Sequence, residues 1–258
     1  MSLDKWGVHL LPKGTYSVEG NAVMSTFSGD SLAQGSALTP VQLLRKSLVI
    51  YGVMAVIGVA VMLFAHKNLE SALVWPSDWM VAGQLISIGL LGAVVLLVAS
   101  YFFEEWLPSF RDLKAAVMRL LGPSSVATAL SLSVVTAIGE ELLFRGALQP
   151  FAGLFVTSFL FGLLHMGKDG LLSAWSVWAF LAGLLLGWMF NATGSLWPCM
   201  IAHFAVNAVS ILKLRRAYNA WLNLTVGKTI FGETEVQSEV GSDVGSDSNT
   251  PDDRNSDS

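Results

Sequence analysis

Long apolar blocks alternate with short polar breaks through most of this chain. Ser47–Ala65 holds no charged side chain and, at about 1.5 Å per residue, approaches the ~30 Å hydrocarbon depth of a bilayer. Arg45 and Lys46 precede it, and His66, Lys67 and Glu70 follow. Val81–Phe103 repeats the pattern and exits at Glu104, Glu105 and Trp106. Between Trp106 and Leu121 the period changes. Leu107, Phe110, Leu113, Val117, Leu120 and Leu121 recur at helical spacing, while Arg111, Lys114 and Arg119 take the other side. That is the pattern of an amphipathic helix lying on a membrane surface, ended by Gly122-Pro123. Further apolar runs cover Ser124–Gln149, Phe151–His165, Leu171–Phe190 and Leu196–Leu212. Pro150, the polar turn from Gly167 to Gly170 and the stretch Asn191–Ser195 separate them. The predicted fold is all-α, a polytopic helical membrane bundle of about six transmembrane helices plus one amphipathic surface helix.

The domain plan follows the same breaks. Residues 1–40 carry mixed glycines, serines and scattered apolar side chains and are expected to form a poorly ordered N-terminal arm. Residues 41–123 hold two transmembrane helices and the amphipathic connector, and 124–216 form a helical core. Residues 217–258 are a C-terminal segment ending in an acidic tail. From Gly232 onward that tail is rich in Ser, Asp and Gly, with the near-repeat Val-Gly-Ser-Asp, and is expected to be disordered.

Composition sharpens this picture. The chain is 53% hydrophobic and 13% charged, against roughly 25% charged in a soluble domain. Gly232–Ser258 carries eight acidic side chains and one basic, so the rest of the chain is net +3. No basic face exists to neutralise phosphates, which argues against nucleic acid as a partner. The lone Cys199 excludes an internal disulfide. The first forty residues lack the apolar core of a signal peptide, so the first span is expected to direct insertion. Arg45 and Lys46, Lys114 and its neighbours, Lys168, and Lys213, Arg215 and Arg216 all fall on one side of such a bundle. The positive-inside rule then makes this a multi-pass protein of the inner (plasma) membrane, with both termini cytoplasmic.

Chemistry concentrates at Gly139-Glu140-Glu141-Leu142-Leu143-Phe144-Arg145-Gly146, inside an apolar run. Each charge there costs about 2.5–3.5 kcal/mol on insertion scales, so packing alone does not account for adjacent carboxylates. On a helix Glu141 and Arg145 face each other and can pair. Glu140 points about 100° away and is left free for another task, such as general acid or base work. Later spans add Phe161 and His165 at four-residue spacing, then His203 with Asn207 one turn on. Glu140, Glu141, His165, His203 and Asn207 are together an inventory for activating a water in a membrane. Glu140 and His165 could hold and deprotonate it, with His203 and Asn207 stabilising an oxyanion. Alternatively Glu140, His165 and His203 could bind Zn²⁺ with one position open to water.

These motifs, Glu140-Glu141 with Arg145, Phe161 with His165, and His203 with Asn207, in order on successive spans from about Ser124 to Leu214, resemble those of the CPBP family. This is the family of CAAX proteases and bacteriocin-processing membrane proteins, also called Abi, which includes the Rce1-like prenyl-protein endopeptidases. The resemblance implies an intramembrane protease of metalloprotease or glutamate type, acting on a membrane-associated protein or peptide. By it, Glu140 activates water, His165 helps hold it, His203 and Asn207 stabilise the oxyanion or assist a metal, and Arg145 orders the first motif. Competing readings are a non-enzymatic partner or immunity protein that keeps the polar knot, and a transporter built on the same charges.

Counting depth from the span ends places Glu140 about 13 Å and His203 about 10 Å in, with His165 about 21 Å beyond Pro150. The expectation is a site in the outer half, approached from the membrane or the extracytoplasmic side. The orientation itself is open to direct test. A reporter active only in the cytoplasm is expected to work when fused behind Arg216 and to be silent when inserted at Lys67; the opposite pattern refutes it.

Overall fold

A computed structural model describes residues 8–11, 15–18, 39–67, 69–107, 110, 114, 117–118, 120–166 and 173–240. Four of its helices begin where the sequence supplies a capping side chain. Helix α1, Pro40–Val61, starts with a capping box: Thr39 Oγ1 accepts from Gln42 N, and Gln42 Oε1 accepts from Thr39 N. It continues as a π-helical turn, Met62–His66, closed by Lys67 in the left-handed region at φ 57°. A short helix α2, Leu69–Leu73, leads to α3, Trp79–Trp106, capped by Asp78. Helix α4, Val126–Glu141, is capped by Ser125 and runs without a break into a second π-helical segment, Leu142–Leu148. Then follow α5, Gln149–Leu164; α6, Ala174–Thr193, capped by Ser173 and closed by Gly194; and α7, Trp197–Val240.

Helices α1, α3, α6 and α7 each supply one apolar rod long enough to cross a bilayer, and Val126–Leu164 supplies one continuous apolar helical stretch of 39 residues. Five such stretches therefore stand where the hydrophobic pattern suggested about six. The difference lies in the third. Straight, it would run about 58 Å, twice the hydrocarbon depth. Instead Gly153 breaks it with φ 75° and ψ 170°, a conformation open in practice only to glycine. The chain folds back there. Phe144 and Phe161, about 25 Å apart along a straight helix, touch with ring centroids 5.0 Å apart. The third and fourth rods are thus both present but joined tail to head. The straight part of α5, from Leu154 to Leu164, is only about 16 Å long and reaches about half the depth of a bilayer.

The bundle wears its apolar side outward. Val49, Val56, Phe64, Trp79, Leu91 and Phe155 are each more than half exposed. Glu140, Glu141, Arg145, Gln149 and His203 are buried. This inversion fits an integral membrane protein whose outer face meets lipid. Helix α1 packs along α4 and the second π segment, while α6 packs against α5 and α3. Phe103, Phe110 and Trp178 close one end of the core, with Phe103 and Trp178 ring centroids 5.4 Å apart.

Two termini differ from expectation. Inside the arm 1–40, Val8–Leu11 pairs antiparallel with Thr15–Val18, with Val8 opposite Val18. These β-branched and aromatic residues suit a strand, although a lone hairpin is marginal in water. The chain forms two compact units, Met1–Tyr218 and Asn219–Ser258. In the second, the helix extends to Val240, so 232–240 is helical where disorder was expected. Propagation adds one hydrogen bond per residue fixed, and Gly232 alone costs only about 1 kcal/mol. Residues 241–258 lie outside the described residues. So does part of the expected surface helix, although Phe110, Lys114, Val117, Met118, Leu120 and Leu121 are helical and Phe110 is buried.

Glycines set how closely α1 approaches the core. A Cβ on Gly58 would stand 2.7 Å from the Leu142 carbonyl carbon, whereas one on Gly52 would meet nothing within 4 Å. Gly58→Val is expected to lower stability in detergent by about 1–3 kcal/mol through overpacking, with Gly52→Val closer to neutral. Thermal unfolding of both variants checks this, and equal effects would contradict the packing described.

Candidate active site

Glu140 and Glu141 occupy the last turn of α4, just before its backbone loosens into the π-helical segment. Such segments are frequent at functional sites because the added residue re-aims the side chains beyond it. Here Arg145 turns back onto Glu141, with Nη1 3.1 Å from Oε1, while its Nη2 donates to the Gly183 carbonyl at 3.2 Å. Both partners are almost fully buried, at 1% and 0% exposure. His66, from the first π turn, holds the other end of the segment: its Nε2 donates to the Ala147 carbonyl at 2.8 Å.

Helix α7 brings His203 to the same carboxylate. His203 Nδ1 is 2.7 Å from Glu141 Oε1. Since a carboxylate accepts, Nδ1 carries the proton and Nε2 is left free. That Nε2 faces Glu140 Oε2 at 3.6 Å. Glu140 Oε2 is buried and makes no hydrogen bond. One turn further along α7, Asn207 Nδ2 donates to Thr136 Oγ1 at 3.0 Å.

His165 sits at the end of the short α5. Its Nδ1 donates to the Phe161 carbonyl at 2.7 Å, which again leaves Nε2 free. The Phe161 ring contacts both imidazoles, with ring centroids 4.6 Å from His165 and 6.2 Å from His203. The Arg145 guanidinium lies 4.7 Å over the same ring. Phe161 therefore touches both histidines and covers the buried cation.

Glu140, Phe161, His165, His203 and Asn207 all line one cavity of about 320 Å³. Glu141 and Arg145 do not line it; they stand behind it and hold His203. Glu141 thus occupies a supporting position rather than one facing the cavity. The metal set Glu140, His165 and His203 is not assembled: among the described residues, no three His, Cys, Asp or Glu side chains gather to hold a metal ion. Each imidazole instead turns its Nδ1 to a different partner, His165 to the Phe161 carbonyl and His203 to Glu141. The cavity also runs the other way from the depth expectation. It passes Tyr101, Ser210 and Ile211 to Glu104, Lys114 and Lys213, at the helix ends rich in basic residues.

Two wall residues were not singled out from the sequence. Thr136 lies one turn before Glu140 on the same face of α4, a spacing that could have signalled it. Tyr51 lies on α1, far away in the chain, and nothing in its local sequence marks it.

Residues 122–209 match the family described as type II CAAX prenyl endopeptidase Rce1-like. That interval contains Glu140, Glu141, Arg145, Phe161, His165, His203 and Asn207. Over 135 residues the chain is 32% identical to a Bacillus subtilis (strain 168) protein described as uncharacterized protein YpbD, covering 51% of this chain and 70% of that one. No solved structure matches the chain.

The ion pair generates a stability prediction. Arg145→Met leaves the Glu141 charge buried with His203 alone and is expected to cost about 3–5 kcal/mol. Adding Glu141→Gln should recover part of that loss. Unfolding in detergent measures both, and an Arg145→Met variant as stable as wild type would contradict the arrangement.

Proposed function

The chain belongs to the Rce1-like family, and from that membership and the geometry of the cavity we propose that it is an intramembrane endopeptidase, hydrolysing a peptide bond of a membrane-associated protein or peptide. The observation that carries this reading is the free Oε2 of Glu140, buried in the cavity wall and facing the free Nε2 of His203 at 3.6 Å. A buried carboxylate oxygen without a partner is costly. A water beside that gap reaches both atoms and satisfies both.

In this reading Glu140 takes a proton from that water as its oxygen attacks the peptide carbonyl carbon. His203 orients the water. Glu141 behind His203 fixes its tautomer, as a carboxylate does for the imidazole of a hydrolytic triad. The carbonyl oxygen becomes an oxyanion, to which Asn207 offers the amide hydrogen that Thr136 does not use. As the carbon–nitrogen bond breaks, the proton held on Glu140 passes to the leaving amine. His165, which lines the same cavity and whose Nε2 is free, relays that proton in this reading. Each of these steps uses only the water and the chain's own side chains.

The run of the cavity toward Lys114 and Lys213 supports entry of substrate from the side that the basic residues assign to the cytoplasm. That replaces the outer-side approach suggested by depth counting alone. The apolar stretches of the wall suit an extended or lipid-tethered segment.

Purified protein in detergent is expected to cleave a membrane-anchored peptide. Glu140→Gln should lower the rate by about 10²–10⁴-fold, and Asn207→Ala by up to about 10²–10³-fold. Mass spectrometry of the product termini follows both, with a chelator arm to report any metal dependence. Undiminished cleavage by Glu140→Gln rejects the reading. Full function in cells from both Glu140→Gln and His203→Ala would favour a binding role instead.

A further inference from the structure

Helices α4 and α7 meet through side chains at two levels of the cavity wall. At one, Glu140 Oε2 faces His203 Nε2 at 3.6 Å. At the other, one helical turn away on each helix, Asn207 Nδ2 donates to Thr136 Oγ1 at 3.0 Å. The earlier residue on α4 meets the later one on α7, so the two pairs run in opposite senses along the chain. All four side chains line the same cavity, and both Thr136 and Asn207 are half-buried there.

Thr136 has one hydroxyl proton, and its place in the helix commits it. Oγ1 donates to the Ser133 carbonyl at 3.2 Å, a bond back to the preceding turn that threonine makes readily within a helix. A carbonyl only accepts, so the direction of that bond is fixed. Toward Asn207 the hydroxyl therefore offers lone pairs alone. Asn207 has to present its NH₂ end there, because its carbonyl end would set two acceptors against each other.

The distinction decides what the cavity meets. The two ends of a carboxamide are nearly equal in size and opposite in charge. A half-turn about the last side-chain bond exchanges them with little change of shape. With the NH₂ end held by Thr136, one amide hydrogen is used and the second is left for an oxyanion. With the ends exchanged, a carbonyl oxygen stands in that place and repels the same charge. We infer that Thr136 is a positioning residue of this site: its hydroxyl, committed as a donor to Ser133, holds the Asn207 carboxamide with its NH₂ end toward α4, the helix that carries Glu140.

This rests on the reading of Asn207 as the oxyanion donor, and the test separates the two. Thr136→Val keeps the branched outline and removes only the hydroxyl. With the full chain in detergent and the membrane-anchored peptide as substrate, kcat is expected to fall about 3–10-fold, the worth of one neutral hydrogen bond, while KM stays within about twofold. Thr136→Ser returns the acceptor and should bring kcat back to within about twofold of wild type. In an Asn207→Ala background, Thr136→Val should cost nothing further, since the group it positions is gone. Side-chain amide NMR of asparagine-labelled protein supplies a readout independent of turnover. The pair of signals lost in Asn207→Ala should shift in Thr136→Val and return in Thr136→Ser. That combination supports the inference. An unmoved amide pair overturns it, as does wild-type kcat in Thr136→Val or an equal fall in the Asn207→Ala background. Wild-type cleavage by Asn207→Ala ends both the oxyanion role and the inference, and an inactive Glu140→Gln then leaves the protease reading standing. Cleavage by Glu140→Gln removes the protease reading and the inference together.

Discussion

A single carboxylate, that of Glu141, holds the centre of this molecule together. It is fully buried, and it is shared between the Arg145 guanidinium and the His203 imidazole. Each of these groups would be expensive to bury alone. Together they convert a cost into a constraint, because neither α7 nor the second π segment can shift without leaving a charge stranded. The same constraint sets the tautomer of His203 and so aims its free nitrogen at Glu140. One ion pair thus decides the orientation of the group beside it, and the adjacent glutamate inherits an environment it does not itself build.

Backbone geometry completes the arrangement. Gly153 reverses the chain, so that Phe161 and His165 return to the level of Arg145 rather than lying far beyond it. Gly139 and Gly58 let α1 lie against α4 and the π segment. Ser158 and Gly183 do the same between α5 and α6: a Cβ on Gly183 would stand 3.2 Å from Ser158. Close approach through small residues is how helices associate where lipid supplies no hydrophobic drive. The polar residues then sit where backbones, not long side chains, set the distances.

What the sequence made legible follows from range. Glu141 and Arg145 lie four apart on one helix, so their pairing is a local consequence of helical pitch, as is the separate direction of Glu140. His203 and Asn207 are related in the same local way. The all-helical bundle was legible because apolar runs of this length have few other fates. The span count was blurred at Gln149–Gly153, where Pro150 looked like a break. A proline is tolerated in the first turn of a helix, and the true break falls on Gly153. The metal set was not legible because it requires His165 and His203, on different helices, to meet, and no pattern within one helix reveals how their rings are turned. Tyr51 was invisible for the same reason: its place in the cavity wall depends on α1 lying against α4 at Gly139, a glycine whose importance depends on the partner. The course of the cavity likewise depends on side chains that α3 and α7 bring together from distant parts of the chain.

The short straight run of α5 has a consequence for the surrounding lipid. A rod of about 16 Å cannot match hydrocarbon about twice as thick, and the mismatch falls on the acyl chains beside it. Those chains must compress or tilt, which dimples the leaflet and brings headgroups and their hydration closer to the bilayer midplane. A half-length helix is therefore also a means of carrying solvent inward from the surface.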